Sequence, residues 1–331
     1  MRRCLGAGRA TLMLLLVTNQ RDITTDFVVL ESRRRGIDFF RLNTELLPSM
    51  ACSFSDRILD DWTLTLDGRT VCGSQVSGAY FRRPGKPRIC ENIIDDAARR
   101  YAESEWASLL KSLYTRLEGR WLNSPTQIVL AEDKPRQLLL AHRLGFDVPA
   151  ARITNDLQTA QQITKHFNAI AKPLRESLLT GERESVMFTT RLDGLCAADA
   201  PALALAPIIV QQEIAKQYDV RVTVVGQRVF AVAIGSQAHA ETTVDWRRGS
   251  HADLKHELIQ LPERLQQQCI ELTHALGLRF GAIDLICDQD DRFWFLEINP
   301  NGQWAWLENM TGAPITSAIV DELQGMGRPW T

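Results

Sequence analysis

The sequence predicts a mixed α/β fold that is divided into more than one domain. Near the start of the chain a strand, a helix and a second strand follow one another, the order that builds a small α/β unit. From residue 208 onward, apolar runs of strand length follow each other closely. The length of 331 residues corresponds to about two or three domains of ordinary size. An apolar content of 45% is enough for a buried core.

The first part of the chain alternates between strand and helix patterns. Its predicted strands cover residues 12–18, 37–42, 62–66, 70–72 and 79–82. Its predicted helices cover residues 24–35 and 93–117. Gly36 is placed to end the first helix, and Asp67 with Gly68 is a strong turn signal for a hairpin. In the second helix, Trp106 and Leu113 belong to a stripe at helical spacing, which predicts that they face the core.

A junction at residues 121–125 leads into the second part of the chain, which is richer in strands. Its predicted helices cover residues 126–131, 135–144, 157–167, 263–276 and 314–323. Its predicted strands cover residues 169–172, 186–190, 208–213, 220–225, 229–234, 280–286 and 292–298. The polar segment 175–185 lacks periodicity and predicts a mobile loop between strands.

Composition and charge exclude several classes of function. The formal net charge of -2 provides no global field that would attract nucleic acid or a membrane surface, so neither is expected as a partner. The seven cysteines are odd in number and form no C-x-x-C pair, which argues against a disulfide framework and a zinc site. A reducing cytoplasm is therefore the expected location. No apolar segment approaches the roughly 20 residues of a membrane-spanning helix.

Residues 1–12 are predicted to be a disordered or misannotated extension, with Met13 as an alternative start. Arg2 and Arg3 precede the apolar run 12–17, an order that superficially resembles a short signal peptide. The run is short, and a polar segment without a small-x-small cleavage site follows it. A first buried strand explains it better.

Three oxygen-bearing side chains near the C-terminus predict a metal site. Glu297 and Asn299 stand two apart at the end of an apolar run, and residues two apart in a strand project from the same face. Asp284 lies in a second apolar run, where an aspartate is rarely tolerated without a partner, and residues 288–291 can form the turn between the two strands. Three oxygen ligands suit Mg²⁺, which completes its shell with phosphate and water. The alternative is that each residue caps a strand or pairs with a surface arginine.

Two lysines are candidates for phosphate contacts, and each has an ordinary alternative. Lys172 ends a predicted strand, where it either extends into solvent or reaches phosphate from a rigid platform. Lys134 precedes Pro135 at a helix start, where a cation opposes the helix dipole. A nearby phosphate would relieve that conflict.

The predicted strand 208–213 leads from apolar residues into polar ones. The polar end and the residue after it comprise Gln211, Gln212, Glu213 and Ile214. Such a segment can offer backbone groups to the edge of a purine and a carboxylate to a ribose. The alternative is an edge strand with a solvated end.

Two arginines are candidates for contacts with a phosphoryl group. Asp219 and Arg221 share one face of a strand, so they form either a salt bridge or a phosphoryl site in which Asp219 holds Arg221 in place. Arg247 lies in a polar loop with Gly249, where arginines are usually only solvated.

Taken in order, these residues resemble the ATP-grasp superfamily. The matching series is Lys134, Lys172, Gln212-Glu213-Ile214, Asp219-x-Arg221, Asp284 and Glu297-x-Asn299. Within the superfamily, the string Glu-Ile-Asn-Pro-Asn-Gly-Gln-Trp at residues 297–304 is similar to the ligases that macrocyclise ribosomally made peptides, the microviridin or graspetide ligases. Segments 80–84, 121–125 and 245–247 are similar to that family too.

The resemblance implies an ATP-grasp fold of the α/β (α+β) class, similar over residues 121–331 and preceded by an accompanying α/β unit. An N-terminal pre-ATP-grasp α/β domain would cover residues 13–120. A central lid subdomain would cover residues 121–206, and a C-terminal antiparallel-sheet domain with the metal site would cover residues 207–331.

The resemblance also implies a role for each candidate residue. Lys134 and Lys172 would contact the phosphates or the adenine. The adenine-facing hinge would comprise Gln211, Gln212, Glu213 and Ile214, with Glu213 near the ribose or amino group. Mg²⁺ would be held by Asp284, Glu297 and Asn299. Arg221, held by Asp219, and Arg247 would steady the γ-phosphoryl group and the acyl phosphate. Segment 175–185 departs from the family pattern, since Gly181 is its only glycine.

The implied activity is ATP-dependent ligation of a carboxylate to a hydroxyl or an amine. An Asp or Glu side chain of a precursor peptide would be activated as an acyl phosphate and joined to Thr or Ser as an ester, or to Lys as an amide. The implied cofactors are ATP and Mg²⁺, and the implied partner is a precursor peptide with a leader and an acidic core. Arg82 and Arg83 are candidates for the pocket that receives the core. Homodimers are common in that family, so a monomer and a homodimer both stay open.

Two other functions fit the same residues. The first is an ATP-grasp ligase that acts on a free amino acid, a small peptide or a protein tail. The second is a peptide-binding or regulatory module that holds ATP without turnover, and the complete set of metal and phosphate residues counts against it.

Overall fold

A computed structural model of the chain describes residues 12–174, 178–179, 185–186, 189–192, 194–238, 242–246 and 254–326. The chain divides into two compact units. The first comprises residues 1–125 and 316–331, and the second comprises residues 126–315. The finer division at residues 12, 120 and 206 stays a prediction.

The first unit contains the strand–helix–strand motif expected at the start of the chain. Its elements are β1 (Met13–Thr18), α1 (Ile23–Arg34), β2 (Phe39–Asn43), β3 (Ala51–Phe54), β4 (Trp62–Leu66), β5 (Arg69–Cys72), β6 (Val76–Phe81) and α2 (Asp96–Arg116). A parallel sheet has the order β2-β1-β6, and a smaller antiparallel sheet has the order β3-β4-β5. The predicted hairpin is confirmed, since Asp67 and Gly68 both have positive φ angles between β4 and β5.

The core of the first unit lies between its sheets and α2. β1 is buried along nearly its whole length, as expected for the central strand of a parallel sheet. Leu110 and Leu113 of α2 are buried in this core, and Trp106 packs against it half-buried. The core-facing stripe predicted for this helix is therefore confirmed. Strand β3 was not predicted, because its four residues lack a strong alternating pattern.

The second unit is built mainly from antiparallel strands. Its elements are α3 (Pro125–Ala131), α4 (Lys134–Arg143), β7 (Ala151–Thr154), α5 (Leu157–Thr164), β8 (Ala169–Lys172), β9 (Leu178–Leu179), β10 (Ser185–Val186), β11 (Thr190–Leu192), α6 (Ala200–Leu203), β12 (Ile208–Gln212), β13 (Lys216–Val225), β14 (Arg228–Ile234), β15 (His256–Ile259), α7 (Glu263–Ala275), β16 (Phe280–Asp288), β17 (Phe293–Asn299) and α8 (Ala305–Thr311). The last helix, α9 (Ile315–Gly325), starts at the boundary and continues in the first unit.

Two antiparallel sheets organise the second unit. The central sheet has the order β11-β8-β12-β7, and the C-terminal sheet has the order β15-β14-β13-β16-β17. The mixed α/β prediction is thus confirmed. The predicted loop at 175–185 lies mostly outside the described residues, which include a short antiparallel pair between β9 and β10. Strand β15 and helix α8 were not predicted, because each is short.

The core of the second unit lies on one face of the C-terminal sheet, under α4 and α7. Val220, Val222 and Val224 of β13 point into it, as do Ile283 and Leu285 of β16. Because side chains alternate along a strand, the residues between them project from the opposite face. The second unit thereby directs one face of this sheet to the core and the other to the candidate site. Among the described residues, no helix is both long enough and apolar enough to cross a membrane.

Candidate active site

Two of the predicted metal ligands are direct cross-strand partners. Asp284 of β16 stands opposite Glu297 of β17, and Ala282 stands opposite Asn299. Asp284 lies between the core residues of β16, so its side chain projects from the site face. All three predicted ligands therefore come from two adjacent strands, as the sequence predicted.

A β-bulge at Leu296 aims Glu297 at this face. The strand register runs from Asp284–Glu297 directly to Leu285–Phe295, which leaves Leu296 as the extra residue of β17. Phe295 packs in the core although it stands two residues from Glu297. Without the bulge, these two side chains would share one face. The bulge thus separates an aromatic core residue from a carboxylate of the site.

Each of the two carboxylates pairs with a cation. Lys134 Nζ lies 3.1 Å from Glu297 Oε2, and Arg221 Nε lies 3.0 Å from Asp284 Oδ1. The Asp284 pair is the more buried, with side chains 14% and 9% exposed. Buried charges are tolerated when they are paired, so the two cations compensate both carboxylates in this arrangement.

The donor set of this face fits Mg²⁺. Within the described residues, no group of three or more His, Cys, Asp and Glu side chains is arranged to hold a metal. The predicted trio instead combines two carboxylates with the amide of Asn299, and oxygen ligands of these kinds suit Mg²⁺ when phosphate and water complete its shell. Asp284, Glu297 and Asn299 would be the residues that hold the ion.

A cleft of about 370 Å³ is lined by six of the twelve predicted site residues. Its lining includes Glu132, Lys134, Lys172, Asp219, Asp245, Trp246, Asp284, Glu297 and Asn299. Cationic and acidic side chains therefore face the same space, which is what a metal–triphosphate ligand would require. The structure brings together residues that are more than 160 positions apart in the sequence.

Gln137 fixes the position of Lys134 relative to β17. Its amide Nε2 donates to the carbonyl oxygens of Ala131 (2.6 Å) and Ile298 (2.8 Å), and its Oε1 accepts from the Ile298 N–H (3.1 Å). The residue is 2% exposed. One buried side chain thus joins the start of α4 to the strand that carries Glu297. Sequence reasoning missed Gln137, because a glutamine in a helix gives no signal of a distant strand partner.

Lys172 and Gln211 are neighbours on adjacent strands of the central sheet. Lys172 Nζ donates to Gln211 Oε1 at 2.8 Å, and Gln211 is 1% exposed. Lys172 is half-buried, so it does not extend fully into solvent. Its lining of the cleft is consistent with the phosphate alternative.

The predicted hinge lines a narrow slot of about 20 Å³ that opens from the same region. The lining comprises Ile170, Gln211, Gln212, Glu213, Ile214, Lys216, Thr243, Val244, Ile286 and Leu296. Ile170, Ile286 and Leu296 also line the cleft, so the two spaces adjoin. Half of this lining is apolar, as is usual where a flat heterocycle binds, but a volume of about 20 Å³ has room for about one water molecule. The slot would have to widen to accept an adenine.

Parts of the hinge are already engaged within the central sheet. The N–H groups of Gln212 and Glu213 donate to the carbonyls of Ala150 (2.8 Å) and Asn168 (2.7 Å). The Glu213 carboxylate accepts hydrogen bonds from Arg191, with Nε at 2.8 Å and Nη2 at 2.7 Å. A ribose contact by Glu213 would have to share this carboxylate with Arg191.

Asp219 pairs with Lys216 and not with Arg221. Lys216 Nζ lies 2.6 Å from Asp219 Oδ2, and both side chains are almost completely buried. Burial raises the pKa of Asp219, and the Lys216 ammonium opposes that rise. The expectation that Asp219 holds Arg221 in place is wrong, since Asp284 on the neighbouring strand is the acid that Arg221 meets. Sequence reasoning missed Lys216, although its i,i+3 spacing from Asp219 was visible.

The side chain of Arg221 is surrounded by Trp246, Asp284 and Gly302. Its guanidinium carbon is 5.4 Å from the centre of the Trp246 ring, and Asp284 is beside its Nε. Gly302 provides room, because a Cβ at that position would lie 2.4 Å from Ala282 Cβ and 3.5 Å from Arg221 Nη1. The second predicted catalytic arginine, Arg247, lies outside the described residues.

The two arginines expected to meet a peptide lie in the first unit and differ in exposure. Arg82 is 1% exposed, with its Nε 3.9 Å from Asp22 Oδ1. Arg83 is exposed, with a positive φ of 45°. Although the side chain is exposed, neighbouring atoms partly desolvate its guanidinium and lower the pKa of Arg83, and the neighbouring Arg82 charge adds to that effect. Arg82 is therefore a buried structural cation, and Arg83 alone presents charge at the surface.

Solved structures that resemble this chain include peptide-modifying ligases. The macrocyclase MdnC from Microcystis aeruginosa MRC, solved bound with precursor peptide MdnA, is 27% identical with a TM-score of 0.80, over 94% of this chain and 99% of that one. A RiPP-associated ATP-grasp ligase from Chryseobacterium gregarium, solved in complex with ADP and a leader and core peptide, is 26% identical with a TM-score of 0.84. That alignment covers 95% of this chain and 96% of the ligase.

Sequence relatives and a family model complete the comparison. A probable alpha-L-glutamate ligase from Picosynechococcus sp. is 26% identical over 212 residues, which are 62% of this chain and 68% of the relative. A similarly named protein from Haemophilus influenzae is 25% identical over 228 residues, 64% of this chain and 70% of that protein. The model of the RimK-like ATP-grasp domain matches residues 131–323, more than half of the chain. The chain therefore belongs to the RimK-like ATP-grasp family, a family of ligases that use ATP and Mg²⁺.

Proposed function

We propose that this ATP-grasp ligase activates Asp or Glu side chains of a ribosomally made precursor peptide and closes them into ester or amide macrocycles. The observation that carries the proposal is the cleft in which Asp284 and Glu297 stand opposite each other with Arg221 and Lys134 beside them. The two peptide-bound ligases described above support the peptide substrate, because each aligns with nearly the whole chain.

The first step is transfer of a phosphoryl group to the peptide. A carboxylate oxygen of the peptide attacks the γ-phosphorus of ATP, the bond to the β-phosphate oxygen breaks, and ADP leaves. This transfer requires positioning and charge neutralisation more than a protein nucleophile. Mg²⁺, when held by Asp284, Glu297 and Asn299, supplies charge neutralisation at the phosphates. Arg221 and Arg247 are assigned the role of stabilising the negative charge that develops on the transferred phosphoryl group.

The second step joins the activated carboxyl to a second side chain. A hydroxyl or amine of the same peptide attacks the carbonyl carbon of the acyl phosphate, and phosphate leaves with the electron pair of the broken bond. The proton of the nucleophile leaves with phosphate or to solvent. Each closed ring therefore costs one ATP and releases, in net, the elements of one water molecule from the peptide.

The nucleotide roles follow from the two adjoining cavities. The narrow slot edged by residues 211–214, which would have to widen, is assigned to the adenine, and the cleft with Lys134 and Lys172 to the phosphates. Lys134 would exchange its contact with Glu297 for a phosphate oxygen when that carboxylate holds Mg²⁺. Each member of the pair would keep a charge of opposite sign beside it, because Mg²⁺ would lie at Glu297 and phosphate at Lys134.

A second candidate function is ligation of a free amino acid to a peptide or protein tail. The sequence relatives named as probable alpha-L-glutamate ligases favour it. The same cleft and the same acyl-phosphate chemistry serve both reactions, so the substrate alone separates them.

Mass spectrometry distinguishes the two functions. The chain is co-expressed with each short reading frame beside its gene that encodes a peptide rich in Thr, Asp and Glu. Loss of one water per ring, dependent on ATP, is the expected result. A gain of one glutamyl residue on a peptide or protein tail would favour the second function instead. ATP binding without ADP formation, in the presence of a verified precursor, would contradict both.

A further inference from the structure

The face of Trp246 lies against Arg221 at the site. The guanidinium carbon is 5.4 Å from the ring centre, within the distance at which a cation is attracted to an aromatic face. Trp246 is 6% exposed, and it lines the same cleft as Asp284 and Glu297. The contact is therefore made at the site and away from bulk water, where such attraction is strongest.

Arg221 needs a partner that leaves its donors available. Asp284 is the carboxylate beside its Nε, but a carboxylate that holds Mg²⁺ shares its charge with the ion. An aromatic face attracts the cation without occupying the N–H groups in the guanidinium plane. Those N–H groups are the ones that can bind phosphoryl oxygens in pairs.

Trp246 is itself held in a rigid environment. Its ring packs on Trp306 with centres 5.6 Å apart, in a buried cluster with Ile234 and Leu254. The segment before it is tied down twice: Thr242 Oγ1 donates to the Ser236 carbonyl at 2.6 Å, and Lys216 Nζ lies 3.4 Å from the Val244 carbonyl. A ring that packing holds in one position can also hold the guanidinium of Arg221 in one position.

We propose that Trp246 is a positioning residue, whose ring face keeps the Arg221 guanidinium aimed at the γ-phosphoryl group while Asp284 serves the metal. The inference rests on the proposed role of Arg221 in phosphoryl transfer, but it does not depend on which peptide or amino acid is the substrate. In this role Trp246 acts through Arg221.

Nucleotide discrimination tests this positioning without any peptide. If Arg221 contacts the γ-phosphoryl group, the wild-type protein should bind Mg²⁺·AMPPNP more tightly than Mg²⁺·ADP. Calorimetry measures the two dissociation constants, and the ratio of the ADP constant to the AMPPNP constant expresses this preference. Two variants fill the buried position with apolar atoms: W246F keeps a ring face and W246L does not. We expect W246L to lower the ratio about tenfold and W246F to lower it less than about threefold.

A matched control and a double variant complete the experiment. The guanidinium carbon of Arg292 lies 5.6 Å from the ring centre of Trp294, on a hairpin of the same sheet. W294L therefore removes a comparable contact outside the cleft and should leave the ratio unchanged. In an R221K background, W246L should lower the ratio little further, because the effects of substitutions at residues that act through one another are not additive. Because the ratio compares two ligands on the same sample, it also holds where W246L lowers the folded fraction.

Three outcomes would overturn the inference. The first is an equal loss in W246F and W246L, which would mean that packing and not the ring face matters. The second is an undiminished additional loss in the R221K background. The third is an unchanged ratio in R221K itself, which would remove Arg221 from the γ-phosphoryl group. Failure of every peptide to lose water would instead contradict the proposed function and leave these ratios informative.

Discussion

Asp284 and Glu297 are direct partners across two antiparallel strands, and each carboxylate meets a cation from a different element. Glu297 meets Lys134 at the start of α4, and Asp284 meets Arg221 on β13. The relationship explains how one sheet face carries several charges without destabilising the unit, because each charge has a partner of opposite sign. It also fits the proposed nucleotide binding, in which metal and phosphate would replace the two pairs together.

Removing the Glu297 carboxylate should remove ligation while the fold is kept. We expect E297Q and N299A each to lower ATP turnover at least about 100-fold, the scale on which a lost electrostatic contact acts in catalysis. The Lys134–Glu297 pair is partly exposed, with side chains 23% and 25% exposed, so its loss should cost less than about 1 kcal/mol of unfolding free energy. ADP release and thermal melting measure the two effects. D290N, on the exposed hairpin, is the control, and near-normal turnover in E297Q or N299A would count against the metal assignment.

A methyl group at residue 302 should disturb the site. The Cβ of G302A would lie 2.4 Å from Ala282 Cβ, and 3.4 Å from Asn299 Cβ, so strand β16 or the loop after β17 must shift. We expect a loss of about 1–3 kcal/mol in stability together with lower turnover. G325A is the control, because a Cβ there meets nothing within 4 Å. It should leave turnover unchanged, and equal effects of the two substitutions would contradict the assigned crowding.

Replacing Gln137 with Met should destabilise the second unit and weaken the site. The substitution keeps the shape of the side chain but removes its bonds to the buried backbone groups of Ile298 and Ala131. Buried groups left without partners cost about 1–3 kcal/mol, which denaturant unfolding measures. Q267M, on an exposed position of α7, should change the unfolding free energy by less than about 0.5 kcal/mol. A Q137M variant as stable as wild type would show that these bonds contribute nothing.

The lowered pKa of Glu31 predicts that the protein loses stability in acid. Hydrogen bonds from Arg34 and, more weakly, from Arg35 lower the pKa of Glu31 from its ordinary 4.5 to about 2. A group with a lowered folded-state pKa stabilises the fold above its unfolded pKa, and that contribution is lost as pH falls from about 4.5 through about 2. Arg35 also donates to Ser317 Oγ at 2.6 Å and pairs with Asp321, so the cluster joins α1 to α9.

An E31Q variant isolates this contribution. Its unfolding free energy should be lower than that of wild type at pH 7 by less than about 1 kcal/mol, since the pairs are only partly buried. The difference between the two proteins should shrink as the pH is lowered through 4.5 toward 2. A difference that stays constant over this interval would mean that Glu31 titrates alike in both states.

Local patterns in the chain were sufficient to predict most elements and to place the three predicted ligands on two adjacent strands. Long apolar runs, the turn at Asp67 and Gly68 and the helical stripe of α2 depend on neighbours within a few residues, and all were confirmed. Short elements such as β15 and α8 were missed, because four to seven residues carry too little periodicity. The pairing of Asp284 with Glu297 followed from two strands and one turn, which are also local.

Contacts between distant segments decided the rest of the site. Arg221 pairs with Asp284 on the neighbouring strand, whereas Asp219 pairs with Lys216. The sequence alone does not show which of these two carboxylates pairs with Arg221. The bulge at Leu296 sends Phe295 to the core and Glu297 to the cleft, against the simple alternation of a strand. Gln137 and Trp246 acquire their roles only through partners that lie far along the chain. The physical reason is that residue type and spacing determine which groups a strand or helix presents, while the pairing of buried charges depends on which elements packing brings together.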